Sequence, residues 1–231
     1  MSTFLAQARP IDRESLSRRV YRDLRDMLIS GQLQPGERLT LDGVAKALGT
    51  SHMPVREAMR QLAAERVLEA LPNRALRVPV MTRARFRELL SVRKMLEGRA
   101  VEQAAVLIDE AQLRHAEGLN ADFRAVIHST GPDVAALIRL NQQLHFAVYA
   151  ACGNQVVLEL IESLWLQVGP VINLDLRSGS RRLSDAPAAR CHDRLVAALR
   201  QRDPVAARCA LEDDLDSAAQ VILAGDGLVG P

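Results

Sequence analysis

All-α with a small β-wing is the fold class this sequence predicts, and three observations carry it. Aromatics make up 3% of the 231 residues while hydrophobics make up 48%, a composition that favours helix packing over a β-sandwich. Apolar residues recur at helical spacing through most of the chain. The stretch 67–80 departs from that spacing and brackets a turn at Pro72-Asn73-Arg74, as a short hairpin does. The architecture that follows has an N-terminal winged helix-turn-helix at 14–80 and a C-terminal antiparallel six-helix bundle at 82–224. A flexible N-terminal arm (1–13) and a disordered tail (225–231) flank them.

Each element has its own signal. Leu16, Val20, Leu24, Met27 and Leu28 line one side of a first helix that Gly31 ends. Pro35-Gly36 marks a turn between short extended pieces. Leu41, Val44, Ala45 and Leu48 give the next helix an apolar face, and Gly49 suits its left-handed end. Thr50 or Ser51 can cap the helix that follows, with Pro54 in its first turn, where no backbone N–H is needed. Val55, Ala58, Met59 and Leu62 form its buried stripe. Its other face carries Arg56 and Arg60, with His52 and Met53 at the start. Two helices joined by a tight turn, the second offering polar and basic groups, predict a DNA-reading helix-turn-helix. The hairpin, with Arg74 and Arg77 near its tip, makes it winged.

Beyond Thr82 the spacing predicts helices at 82–108, 111–128, 132–151, 154–177, 185–201 and 203–224. Gly131-Pro132, Gly153-Asn154, Ser178-Gly179-Ser180 and Asp203-Pro204 separate them. Bundles of this kind form ligand cavities between helices. Residues 1–80 hold 13 Arg/Lys against 9 Asp/Glu, and the remainder holds 17 against 19. A basic first third on a mildly acidic remainder fits a nucleic-acid module joined to a second unit. Cys152, Cys191 and Cys209 lack zinc-finger spacing and read as free thiols of a reducing compartment. No run of about 18 apolar residues is expected, which points to a cytoplasmic protein without membrane attachment.

Residues 31–80 resemble the winged-helix domain of the GntR family of bacterial transcription regulators. The resemblance lies in GQLQPGERL at 31–39, in LDGVAKALGTSHMPVREAMRQLAAERVLE at 41–69 and in PNRALRV at 72–78. Residues 82–224 resemble the FCD ligand-binding domain of the FadR-like subfamily, through VRKMLE at 92–97, Leu144-His145-Phe146 and Gly153-Asn154. Six helices rather than seven resemble its VanR-type branch. The resemblance implies a dimer on an operator palindrome, with DNA contacts from Ser51, His52, Arg56 and the wing residues Asn73 and Arg74, and Arg38 on phosphate. Met53 and Arg60 share the exposed face of the same helix. His52 and Met53 stand where the family has Arg-Thr, Asp42 where an arginine or glutamate is common, and Ala75 where the wing has glycine. If position 75 needs positive φ, alanine costs about 1 kcal/mol.

FCD domains commonly hold a divalent metal between an Asp or Asn, a His four residues later and two further histidines. The positions that match are Asn141, His145, His192 and Asp214, with Asp214 in place of the last histidine. An imidazole pair with a carboxylate and an amide oxygen suits Zn²⁺, Ni²⁺ or Mn²⁺. Without metal, the same four residues would hydrogen-bond an organic ligand directly. Arg93 is either an anion-binding group for a carboxylate effector or the i,i+4 partner of Glu97. The expected function is a ligand-responsive DNA-binding transcription regulator, a repressor in the family's usual sense, and not an enzyme. The alternatives are a metal-dependent hydrolase with an accessory DNA-binding domain and an architectural DNA binder without effector.

Overall fold

The computed structural model describes residues 16–72, 75–177, 183 and 186–230. The arm expected at 1–13 and the wing-tip residues Asn73 and Arg74 lie outside them. Three helices open the chain: α1 (Leu16–Ile29), α2 (Leu41–Ala47) and α3 (His52–Ala64). Val20, Leu24 and Leu28, four apart on one face of α1, are buried with Val55, Ala58 and Leu62 of α3. Thr40 caps α2, its hydroxyl accepting the Gly43 N–H at 3.1 Å. Gly49 turns the chain out of α2 at φ +61°, a conformation that costs a side-chain-bearing residue about 1 kcal/mol. The cap expected from Thr50 or Ser51 is not formed. Ser51 has the extended backbone of a cap but makes no side-chain cap bond, and the buried Thr50 hydroxyl finds no partner among the described residues.

The wing is three-stranded, with β1 (Arg38–Leu39), β2 (Glu69–Ala70) and β3 (Leu76–Arg77) in the antiparallel order β1-β3-β2. The sequence showed β2 and β3 as a hairpin. It did not show that the Pro35-Gly36 turn brings β1 alongside, with the Gly36 N–H donating to the Val78 carbonyl at 2.8 Å. Leu71 N–H donates to Ala75 O at 2.9 Å and closes the wing. Ala75 is buried and is not among the positive-φ residues, so the strain considered for it does not arise.

The C-terminal helices are α4 (Arg83–Leu107), α5 (Glu110–Ile127), α6 (Val134–Ala150), α7 (Gln155–Arg177), α8 (Pro187–Gln201) and α9 (Pro204–Ala224). Thr82, Asp109, Asp133 and Asp203 cap α4, α5, α6 and α9 through their side chains. These caps fall next to the breaks seen in the sequence. α4 runs through the bundle and touches α6, α7, α8 and α9. Buried alanines at 100, 104 and 105 on α4 and at 207 and 210 on α9 let those two helices approach closely. One expectation needs correcting: by length and composition Gln155–Leu174 in α7 is apolar enough to cross a membrane. It behaves as a core helix here, burying Ile161, Leu166, Val168 and Val171 while packing on α1, α4 and α6.

The expected disordered tail is also corrected. Residues 225–230 return to the junction between the two units. Leu228 is buried against Met81, Phe86 and Ile222, and Val229 N–H donates to Met81 O at 3.0 Å. The Arg83 guanidinium donates to the carbonyls of Gly225 at 3.0 Å, Leu228 at 3.3 Å and Gly230 at 3.1 Å. The sequence hid this because the partners are backbone carbonyls, which any residue supplies. Arg83→Ala removes charge-assisted bonds together, so we expect a loss of about 2 kcal/mol, read as a melting temperature about 4–8 °C lower.

Candidate nucleic-acid interface and metal centre

The two faces of α3 separate cleanly. Pro54, Val55, Ala58, Met59 and Leu62 are buried, while Ser51, His52, Met53, Arg56, Glu57 and Arg60 are exposed. The face predicted to read DNA is therefore presented as one surface. Arg56 and Arg60 stand between two grooves. One runs along Leu16, Ser17, Met53 and Glu57, and the other lies between α3 and the wing at Leu71 and Leu76. Arg56 approaches the Met53 sulfur at 3.9 Å. Arg38 is exposed on β1, opposite Arg77 in the register. Arg77 is held by Glu69 at 2.5 Å. α1 fixes α3 from behind: Ser17 donates to Glu57, and the Tyr21 hydroxyl donates to Glu65 at 2.7 Å. Burial first, and then the Glu65 carboxylate, push the Tyr21 hydroxyl up to about 12.

The two unusual residues of this surface meet. His52 Nε2 lies 3.0 Å from Asp42 Oδ1, with both side chains more than half exposed. Asp42 therefore engages one ring nitrogen of His52. The sequence could not show this, because the pair bridges two helices.

The second constellation is buried at the centre of the bundle. His145 on α6, His192 on α8 and Asp214 on α9 bring one ligand atom each within 4.8 Å of one another. His145 Nε2 is 3.2 Å from His192 Nε2 and 3.3 Å from Asp214 Oδ2. Three of the four residues named from the sequence are brought together here, on supports that the sequence did not show. The Arg93 Nε donates to Glu97 Oε1 at 2.6 Å, in a pair buried on α4. Of the two readings of Arg93, the ion pair with Glu97 is the one formed. Tyr149 donates its hydroxyl proton to Glu97 Oε2 at 2.5 Å, and His145 Nδ1 lies 2.8 Å from the same hydroxyl.

That chain of bonds fixes a tautomer. A hydroxyl has one proton, and Tyr149 gives it to Glu97, so His145 Nδ1 carries the proton of its own bond. In a neutral His145 the Nε2 is then a lone pair, 3.3 Å from the Asp214 carboxylate oxygen and 3.2 Å from His192 Nε2. Two acceptors 3.3 Å apart repel unless a proton or a cation lies between them. Burial pushes His192 down to about 4, against the opposing pull of Asp214, so its imidazole is neutral at pH 7. His192 Nδ1 has no hydrogen-bond partner among the described residues. Two imidazoles and a carboxylate whose ligand atoms lie within 4.8 Å of one another match the donor set of a borderline divalent cation. Asn141, one turn before His145, lines the same cavity.

That cavity is bounded by Arg93, Asn141, Gln142, Trp165, Asp214 and, from α1, Ile29, and it encloses about 30 Å³. The space matches one water or one ion. Trp165 stacks under the Arg93 guanidinium at 5.2 Å, and its Nε1 has no partner among the described residues. The sequence offered Glu97 only as a partner of Arg93 and gave no sign of Tyr149, although Tyr149 lies four residues beyond His145. It gave no signal for Ile29.

A DNA-reading winged helix joined to a helical bundle with a polar central cavity defines a DNA-binding transcription regulator with a sensing domain. Comparison with known proteins supplies the family. The description "Bacterial regulatory proteins, gntR family" matches residues 16–78, and the FCD domain matches 88–217. The chain belongs to the GntR family, in the branch that carries the FCD domain. The HTH-type transcriptional regulator McbR of Escherichia coli K12 is 31% identical over 156 residues, spanning 68% of this chain and 70% of McbR. The "Probable D-xylose utilization operon transcriptional repressor" of Paenarthrobacter nicotinovorans is 31% identical over 193 residues, 81% of this chain and 82% of that protein. The structure of E. coli McbR superposes with a TM-score of 0.85 at 26% identity, covering 91% of this chain and 98% of that one. These relatives and families are regulators, not enzymes, so the hydrolase alternative is withdrawn.

If Asp42 orients His52, Asp42→Ala should change the base preferred at one position in duplexes the protein selects from a random pool. The melting temperature should stay within a degree or so, since exposed pairs contribute little to stability (about 0–1 kcal/mol). Selection of the same sequence by Asp42→Ala and the parent would reject that role.

Proposed function

We propose that this regulator acts as a homodimeric repressor of an operator palindrome, and that a small carboxylate held by a divalent metal in the bundle controls its affinity. The observation that carries the metal is the convergence of one ligand atom each from His145, His192 and Asp214 within 4.8 Å of one another. His145, His192 and Asp214 would hold the ion, and Asn141 would add its amide oxygen. When bound, the ion would supply a Lewis-acid contact for an anionic ligand.

Charge bookkeeping favours the carboxylate only with the metal present. Arg93 and Glu97 neutralise each other, so with neutral imidazoles the site without metal carries the single negative charge of Asp214. A divalent ion changes that to a single positive charge, which a carboxylate complements. Arg93 then acts by holding Glu97, and through Tyr149 the His145 tautomer, and any remaining N–H groups are available to the ligand. The competing reading, direct hydrogen bonding of an organic ligand by the same residues, leaves the charge of Asp214 to oppose an acid.

For the DNA side, Arg56 is the principal base contact, with Ser51, His52, Met53, Arg60 and Arg38 around it and Asn73 and Arg74 at the wing tip. An arginine can pair with guanine in two-pronged fashion, worth about 1–3 kcal/mol of discrimination. Dimerisation is supported by apolar side chains that α4 leaves in solvent: Val92, Met95 (62% exposed), Val106 and Leu107. Such a stripe is unusual on a monomer. The cytoplasm, where the chromosome lies, is the compartment this function requires.

Elemental analysis of protein loaded with Zn²⁺ or Ni²⁺ and then desalted should find about one ion per chain, as three converging ligands predict. Replacing His145 and His192 together by alanine should remove it. A thermal-shift screen of carboxylic acids should find stabilisation only in the metal-loaded protein, by about 3 kcal/mol at a hundredfold excess over Kd. Equal metal content in the double variant would end the metal assignment. Stabilisation by an acid in metal-free protein would favour direct hydrogen bonding instead. Arg56→Ala should weaken binding to the selected duplex by about tenfold or more while the fold is kept; unchanged affinity would reject the recognition-face assignment.

A further inference from the structure

The cavity has a wall from the other domain. Ile29, the last residue of α1, lines it beside Arg93, His145 and Asp214. Ile29 is only 4% exposed, so it is packed there. Two glycines let α1 and α7 meet backbone to backbone. A Cβ on Gly169 would lie 2.8 Å from Ile29 Cα and 2.9 Å from its carbonyl oxygen. One on Gly31 would lie 2.6 Å from Asn173 Cβ. α7 also supplies the missing partners for the end of α1. The Asn173 amide donates to the Ile29 carbonyl, and the Arg177 guanidinium donates to the Ser30 carbonyl at 3.1 Å. These carbonyls belong to the last turn of a helix, which has no intrahelical donors for them.

The enclosed space of about 30 Å³ admits a water or an ion but no organic acid. A larger groove, about 430 Å³, lies on the outer side of the same seam. Asp26, Ser30 and Gln32 line it from the α1 side and Arg177 from α7, and it shares Ile138 and Gln142 with the inner cavity. The route from solvent to the histidines therefore passes the end of α1. The walls built from α4 and α6 are tied together by the buried Arg93–Glu97 pair and the Tyr149–His145 chain. The α1 wall is held by side-chain bonds to two carbonyls and by close packing.

We infer that the winged-helix domain completes the effector site through Ile29, so that an organic ligand enters by displacing the last turn of α1 and, with it, the recognition helix. This rests on reading the cavity as the effector site. The movement reaches α3 because α1 and α3 share one core and the Tyr21–Glu65 and Ser17–Glu57 bonds. Ile29 is thereby a determinant of which ligands fit, and Gly169 and Asn173 are positioning residues for the coupling.

Trp165 is the single tryptophan of the chain and lines the cavity, so its emission reports on the site without any ligand. The test titrates the full-length protein with a duplex it has selected from a random pool and reads that emission. The expected result is an emission change at saturating duplex that Asn173→Ala abolishes although the duplex still binds. Gly169→Ala, which forces a Cβ into the Ile29 backbone, should shift affinity for the duplex about tenfold, within the usual range of coupling between sites. Circular dichroism on both variants separates this from unfolding, and Asn173→Ala decides alone if Gly169→Ala does not fold. Unchanged emission at saturation, with both folded variants binding the duplex as the parent does, would overturn the coupling. Metal content, measured on the same samples, tells the two readings apart. Bound Zn²⁺ with silent emission leaves the metal site standing and removes the coupling. Responsive emission without bound Zn²⁺ does the reverse.

Discussion

A buried ion pair sets the terms for the C-terminal domain. Arg93 and Glu97 sit one turn apart on α4, essentially without solvent. Removing one partner of such a pair leaves an uncompensated charge in the interior, typically at a cost of about 3–5 kcal/mol. The pair is tolerable because its remaining valences are used. Glu97 takes the Tyr149 proton, and the Arg93 guanidinium lies over the Trp165 ring. The orientation of His145 is then dictated by two residues away from the cluster. Burial works in the same direction on the neighbours, raising the Tyr149 hydroxyl well above its ordinary value and keeping it a donor. The histidine pair is thus pre-organised by helix α4, which contributes no member of the triad itself.

The winged-helix domain obeys a different constraint. Its hydrophobic core is small, and α1 serves it on one face while docking on α7 with another. Arg25 reaches across to Glu162 at 2.9 Å, a partly exposed pair of modest worth. The close contacts are the backbone ones at Gly31 and Gly169. Packing without side chains between backbones tolerates little sliding, because interiors are close-packed and respond to small shifts. The two domains are therefore joined by shape at one end of α1 and by charge along its side.

Much of this was legible in the sequence, and what was not has physical reasons. Helical spacing and capping residues located the helices, and the pattern Leu41 to Leu62 separated the buried face of α3 from the exposed one. The members of the buried triad were visible as family positions. Three kinds of information were missing. Bonds to backbone carbonyls, as at Arg83, leave no trace in residue types. Contacts between elements, as in Asp42 with His52 or β1 with β3, depend on a fold that local patterns do not determine. Left-handed conformations at Arg66 and Arg202 fall on residues that do not advertise them. Arg202 has a compensation, since its guanidinium donates to the carbonyls of Val106 at 2.9 Å and Ile108 at 3.0 Å, and so finishes α4 from a distance.

The clasp between Arg83 and residues 225–230 bears on how the chain is made. A ribosome releases the N-terminal residues first, and domains generally fold as units during synthesis. The winged helix can begin to assemble while the bundle is still being translated, because the core residues it contributes, from Val20 to Val78, have by then emerged. The junction that follows it cannot. Its strand-like bridge from Thr82 to Val229 and the carbonyls that Arg83 binds exist only once residues 225–230 have emerged. The nascent protein therefore passes through a stage in which a finished DNA-reading domain is tethered to a bundle whose first helix lacks its last partners. Closing the junction between the two halves is left to residues 225–230.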